Sequence, residues 1–192
     1  MKYKFPIFFI NFFLVVSLSA QLKHATPSIK PQLNEVIKDF PNQFKTIKGK
    51  PLTESDHNME YVSGVVIKDA IETKIIAYSN QKYLSWVWES KLFETENLDQ
   101  LKRQYKMYYN DISGKSLFNK TAATHLIAVS LYSSPSHELR FWSNSFTIND
   151  ASNEYKNLVV DLVAEYINFQ WTVYLRAYDK EKDEEIRPTV KQ

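Results

Sequence analysis

Apolar positions 33, 36, 37, 40, 44 and 47 (Leu33, Val36, Ile37, Phe40, Phe44, Ile47) fall on one face of a 3.6-residue period. This pattern predicts a helix starting at Pro31, a favoured first helical residue. Pro41 interrupts it, and Asp39 can cap a restart, so a kink or two short helices are expected. Gly49 reads as the closing C-cap, with Lys45, Lys48 and Lys50 near the negative end of the helix dipole. Positions 50–58 read as a loop. Leu98, Leu101, Tyr105, Tyr108 and Ile112 make a second helical stripe over 97–112, with Thr95 or Asn97 as cap, Gln100 completing a capping box and Gly114 as terminator.

Elsewhere the period is two. Strands are predicted at 61–68, 73–79 and 83–93, then at 123–132, 138–146, 155–166 and 169–178. Pairing the first three as hairpins sets Val66 against Ile75, Val62 against Ser79, Ala77 against Leu84, Ile75 against Trp86 and Thr73 against Trp88. One face then collects the apolar set, with Gly64 small enough to admit a tryptophan. The last two strands, turning at Ile167-Asn168, set Ala164 against Trp171, Leu162 against Val173 and Val160 against Leu175. A slip of one residue would turn these to water, so the facing is strongly specified. The turn lacks the preferred Asn-Gly, which leaves room for a slightly longer loop. The expected fold is α+β: a curved antiparallel sheet of about seven strands, in the order α-βββ-α-ββββ, with both helices on one face. The two strand groups resemble diverged halves, without a fixed sequence period.

The first twenty residues break this scheme. Lys2 and Lys4 precede an apolar run from position 5 to 16 and a small-residue exit, Ser17-Leu18-Ser19-Ala20. That is the layout of a secretory signal peptide, with a cut after Ala20 or, because Leu18 is large, after Ser19. The run is too short to span a bilayer, which takes about 20 residues. Residues 1–20 are thus expected to be a cleaved signal, 21–30 a flexible lead-in, 31–179 one domain and 180–192 a charged tail. The expected location is the periplasm or the exterior. With no cysteine after the run, a lipid anchor is excluded.

Export changes the charge. The 192-residue chain has 24 basic and 22 acidic residues, and losing Lys2 and Lys4 leaves the two equal. A neutral protein has no overall field for nucleic acid or anionic lipid. Having no cysteine excludes thiol catalysis, disulfides and thiolate metal sites, and three glycines build neither a P-loop nor a dinucleotide fingerprint. No cofactor is expected.

Three constellations could carry chemistry. Asp56, His57 and Glu60 could hold a metal on the loop before the first predicted strand, though loops concentrate such residues anyway. Asp161 and Glu165 share a strand face, with Tyr174 and Arg176 across the hairpin. Two carboxylates and a tyrosine suit acid–base hydrolysis, and are also what the wet face of a half-buried hairpin looks like. Trp142 beside Arg140 would suit a protein or glycan contact if exposed. Trp86, Trp88 and Trp171 belong to the core faces, His125 reads as a core or edge residue and His137 as a solvated one. Asn119-Lys120-Thr121 is a formal glycosylation sequon.

The exit Ser-Leu-Ser-Ala-Gln, the phrase from Lys38 to Phe44 with Ile47-Lys48-Gly49, and the phrase from Val173 to Glu181 resemble small secreted proteins of Bacteroidetes-type bacteria. That group has no established activity. The resemblance implies an envelope location and one domain, and transfers no catalytic residue. The expected function is a non-catalytic binding or envelope-associated protein with an envelope protein or glycan as partner. The alternative is a carboxylate-dependent hydrolase of an envelope polymer.

Overall fold

The computed structural model describes residues 28–54, 58–79, 84–113, 125–148 and 153–181. Helix α1 (Lys30–Asp39) leads into a meander of β1 (Lys48–Glu54), β2 (Asn58–Ser63), β3 (Glu72–Ser79) and β4 (Leu84–Thr95). Helix α2 (Leu98–Ile112) leads into a second meander of β5 (Leu126–Ala128), β6 (Phe141–Ile148), β7 (Leu158–Ile167) and β8 (Gln170–Asp179). The strands form one open antiparallel sheet in the order β1-β2-β3-β4-β8-β7-β6-β5. The fold is α+β, as the periodicities imply, with eight strands rather than seven.

The added strand is β1, in the stretch read as a loop. Gly49 and Pro51 hide it, since both are poor strand formers. It lies at the sheet edge with two register irregularities against β2. Gly49 is therefore no helix cap. It faces β2, where a Cβ would come within 3.0 Å of the Val62 carbonyl oxygen. Gly64 is small for a similar reason: its N–H donates to the Ile47 carbonyl at 2.6 Å, and a Cβ would sit 3.1 Å from that oxygen. No tryptophan needs the space.

Both helices cover one sheet face. Leu33, Val36 and Ile37 of α1 and Leu101, Tyr105 and Ile112 of α2 join Ile75, Trp88, Phe146, Leu162, Val173 and Leu175 in a single core. Asp111 near the end of α2 fastens the start of α1, accepting from the Ile29 N–H at 2.8 Å and from the Ser28 hydroxyl. Ile29, within the expected lead-in, is itself buried. Helix α2 starts as its sequence implies. The Asn97 side chain accepts from the Gln100 N–H at 3.0 Å, and the Thr95 hydroxyl donates to the Gln100 side chain at 2.8 Å. Helix α1 ends at Asp39 before a 3₁₀ turn, Phe40–Asn42, that carries Pro41. The buried Asp39 carboxylate accepts from the N–H groups of Thr46 and Ile47 and from the Asn42 amide. It fastens the chain's exit toward β1.

Three hairpin registers depart from expectation. In β3–β4 and β7–β8 the shift is two residues, so the facing survives. Ile75 meets Trp88 and Ala77 meets Trp86; Leu162 meets Leu175 and Ala164 meets Val173. In β2–β3 the shift is odd. Tyr61 meets Ile75 and Val62 meets Lys74, β2 stops at Ser63, and Val62 and Val66 are exposed. Among the described residues of the expected 123–132 strand, β5 spans only Leu126–Ala128. The correspondences just given also relate the two meanders: Ile75 and Trp88 stand in the first where Leu162 and Leu175 stand in the second.

The β7–β8 turn is Asn168-Phe169, with φ of 51° and 65°. Two consecutive positive φ values are what a two-residue type I′ hairpin turn demands, and Asn-Gly is its preferred sequence. Phe169 pays a steric penalty there without packing, since it is 84% exposed. Phe169→Gly is expected to raise the unfolding free energy by about 0.5–1 kcal/mol, read as a later urea midpoint with an unchanged slope. An unchanged or earlier midpoint would contradict this account of the turn.

Candidate functional site

The face without helices is laid out in cross-strand rows. One row runs Lys74, Glu89, Arg176, Asp161 across β3, β4, β8 and β7. The next runs Glu72, Lys91, Tyr174, Val163, and the one beyond it Glu94, Thr172, Glu165, Phe141. On the other side of the charged row lie Ile76, Val87, Tyr178 and Val159. Asp161, Glu165 and Tyr174 thus share one face, as the strand period implies.

Their partners decide what they do. Arg176 donates from Nε to Glu89 at 2.6 Å and from Nη1 to Glu165 at 2.9 Å, and its guanidinium lies 4.9 Å from the Tyr174 ring centroid. Tyr178 donates its hydroxyl to Asp161 Oδ2 at 2.7 Å, while Asp161 Oδ1 is buried without a partner. Lys74 binds Glu60 at 2.8 Å, and Lys91 pairs with Glu94. Glu60, a candidate metal ligand, is therefore engaged by a lysine. Asp56 and His57 lie outside the described residues, as does the sequon. Among the described residues no cluster of three or more His, Asp or Glu side chains could hold a metal ion.

At the cations here charge opposes burial and prevails. Burial would lower the Arg176 pKa, but Glu89 and Glu165 outweigh it and raise it. Burial would likewise lower that of Lys74, and the hydrogen bond to Glu60 with the charge of Glu72 raises it. The Glu94 hydrogen bond raises that of Lys91. Burial pushes up the phenols of Tyr105, Tyr108 and Tyr174, the last also through Glu89 and Glu165. Each group holds its proton more tightly when folded than when unfolded. Their contribution to stability is whole below the unfolded values, 10.0 for tyrosine and 10.5 for lysine, and is lost as pH rises past them. Urea midpoints are expected to vary little from these groups between about pH 7 and 9 and to fall steeply above about pH 10. A midpoint that rises above pH 10 would contradict this arrangement.

Trp142 and Arg140 divide. Trp142 stands on the helix-covered face opposite Ala164, half-buried, and donates its indole N–H to the Ser133 hydroxyl at 2.9 Å. The exposed aromatic is its neighbour Phe141, on the open face beside Glu165 and 55% accessible. Alternation explains the exchange: of two adjacent aromatics on a strand, only one can face the core. Arg140 is exposed and lines a cleft of about 240 Å³ with Glu96, His137, Leu139, Tyr166 and Trp171. Leu139, which lines it, and Phe141, Ile167 and Phe169 at the same end of the sheet are all more than half accessible. Sequence reasoning missed Phe169 and Ile167 because the hairpin tip was placed one residue early. The apolar residues flanking an Asn without a following Gly were the available signal.

Among the described residues no helix is long and apolar enough to cross a membrane. Compared with protein-family models, with curated proteins and with solved structures, the chain matches none.

Proposed function

We propose that this chain is an exported, non-catalytic binding protein that engages an envelope protein through the end of its sheet, where β6 begins and β7 turns into β8. The observation that carries this reading is the set of four large exposed apolar residues, Leu139, Phe141, Ile167 and Phe169, at the end of the sheet where Arg140 lies. Exposed apolar surface of this size marks interaction sites, and aromatic and arginine residues are enriched in protein-binding hot spots. Retaining Phe169 at a positive φ, where glycine would be less strained, fits a residue kept for contact. The hydrolase alternative draws less from the geometry, because Glu165 is held by Arg176 and Asp161 by Tyr178. Export rests on the leader pattern of residues 1–20.

A photo-crosslinking phenylalanine analogue at position 169, in cells producing the full chain, tests the contact. It is expected to give a discrete protein adduct that is lost with Arg140→Glu and absent when the analogue replaces Asn110, exposed on α2. Equal labelling from both positions, or adducts to glycan alone, would overturn the protein partner. Mass measurement of the product should show a chain beginning at Gln21 or Ala20; an intact leader would overturn export.

A further inference from the structure

The cleft beside Arg140 is built at the ends of four neighbouring strands, and its charges are sorted across them. Trp171 of β8 pairs with Thr95 of β4 on one side and with Tyr166 of β7 on the other, and the Tyr166 N–H donates to the Arg140 carbonyl at 2.7 Å. One cross-strand row therefore runs Thr95, Trp171, Tyr166, Arg140. Glu96 follows Thr95, so the acidic residue of the cleft stands on the β4 side and the arginine, just before Phe141, on the β6 side. Tyr166 and Trp171 lie between them, their ring centroids 5.0 Å apart and Trp171 buried.

Two features say what this arrangement accepts. The first is that its charges are not paired with each other. Glu96 and Arg140 are both exposed, and among the described residues no hydrogen bond or ion pair engages either side chain. Arg176, by contrast, is held by two carboxylates. The second is spacing. Neighbouring strands lie about 4.8 Å apart, so three steps separate the ends of the row by roughly 14 Å. Residues i and i+4 of an extended chain, at about 3.4 Å per residue, are separated by nearly the same distance, and i, i+2 and i+4 all point to one side.

We propose that the partner lays across this cleft an extended segment with a basic and an acidic residue four positions apart and a large apolar residue midway. The basic side chain faces Glu96, the acidic one faces Arg140, and the central one lies over Tyr166 and Trp171. This rests on the reading of this end of the sheet as the protein-binding surface, and gives the partner its chemistry. A desolvated aromatic floor suits an apolar anchor, and charges at a rim choose between partners more than they tighten one. A segment with two like charges would set one of them against its own sign.

The test uses the protein as cells produce it and two blocked peptides, acetyl-Lys-Ala-Phe-Ala-Glu-amide and the reversed sequence, because an extended segment can cross the row in either direction. Calorimetric titration is expected to give at least one of them a dissociation constant in the range of about 0.1 mM. Replacing its lysine or its glutamate by glutamine should weaken binding roughly threefold. In Glu96→Gln the lysine replacement should have little further effect, and in Arg140→Gln the glutamate replacement likewise, while each crossed combination keeps its loss. That pattern assigns each charge to its own end of the cleft. Both variants change exposed side chains, and urea midpoints equal to that of the wild type will show that they fold. Losses that are the same in every variant would overturn the proposal. Failure of both peptides while the position-169 adduct persists would overturn this segment and leave the protein partner standing; peptide binding without that adduct would uphold the segment and remove the contact at Phe169.

Discussion

Arg176→Ala is expected to cost the fold about 3 kcal/mol. Arg176 binds two carboxylates, and its side chain and those of Glu89 and Glu165 are all less than one-fifth accessible. Truncating the arginine leaves two mostly buried anions without their cation, with Asp161 also next to the vacated position in the Glu89–Arg176 row. Breaking a buried pair from one side typically costs about 3–5 kcal/mol, because an uncompensated charge remains. The lower end applies, as water reaches part of this face. Replacing all three partners is a different matter. A variant with Arg176→Met, Glu89→Gln and Glu165→Gln removes every charge of the cluster and should recover most of the loss. Urea unfolding of the two variants tests this. If Arg176→Ala costs less than about 1 kcal/mol, the cluster behaves as a set of ordinary surface pairs.

Trp88→Ala should be costlier still, about 4 kcal/mol. Trp88 is fully buried among residues of both helices and both meanders. Its indole N–H donates to the Ser63 hydroxyl at 3.0 Å, and that hydroxyl donates to the Val65 carbonyl at 2.7 Å while accepting from the Val65 N–H. The side chain thereby fills the core and pins the point where β2 stops. Trp88→Phe separates the roles. It keeps an aromatic ring, leaves Ser63 bonded to Val65, and should cost only about 1–2 kcal/mol. Trp142, half-buried, serves as the comparison. A Trp88→Ala loss no greater than that of Trp142→Ala would refute the central place given to Trp88.

These two residues also show what the sequence makes legible. Core facing in β3, β4, β7 and β8 is readable because alternation depends only on parity, and a two-residue shift preserves it. The β2–β3 pairing fails because Val62, Val65, Val66 and Ile67 prolong an apolar pattern past the true end of the strand, and the stop is held by non-local bonds, among them Trp88–Ser63 across 25 positions. Strand β1 is hidden by Gly49 and Pro51, residues that an edge accommodates and local propensity rejects. The helices are plain because caps and stripe agree within each segment. Asp161, Glu165 and Tyr174 could be placed on one face from spacing alone. Their partners could not, since Glu89 lies 87 positions from Arg176. The exposed patch was half legible: Arg140 and an aromatic neighbour were visible, but which aromatic faced out depended on strand phase.

The seam between the meanders has a consequence for how the molecule could have been assembled. Positions that correspond in the two halves carry opposite signs: Lys74 matches Asp161, and Glu89 matches Arg176, its partner across the seam. Were two copies of the amino-terminal half to join as the halves do, glutamate would confront glutamate; two carboxy-terminal copies would set arginine on arginine. The polarity of this row therefore disfavours self-pairing by either fragment and favours the mixed union, so that separately expressed halves should recognise each other before they recognise themselves.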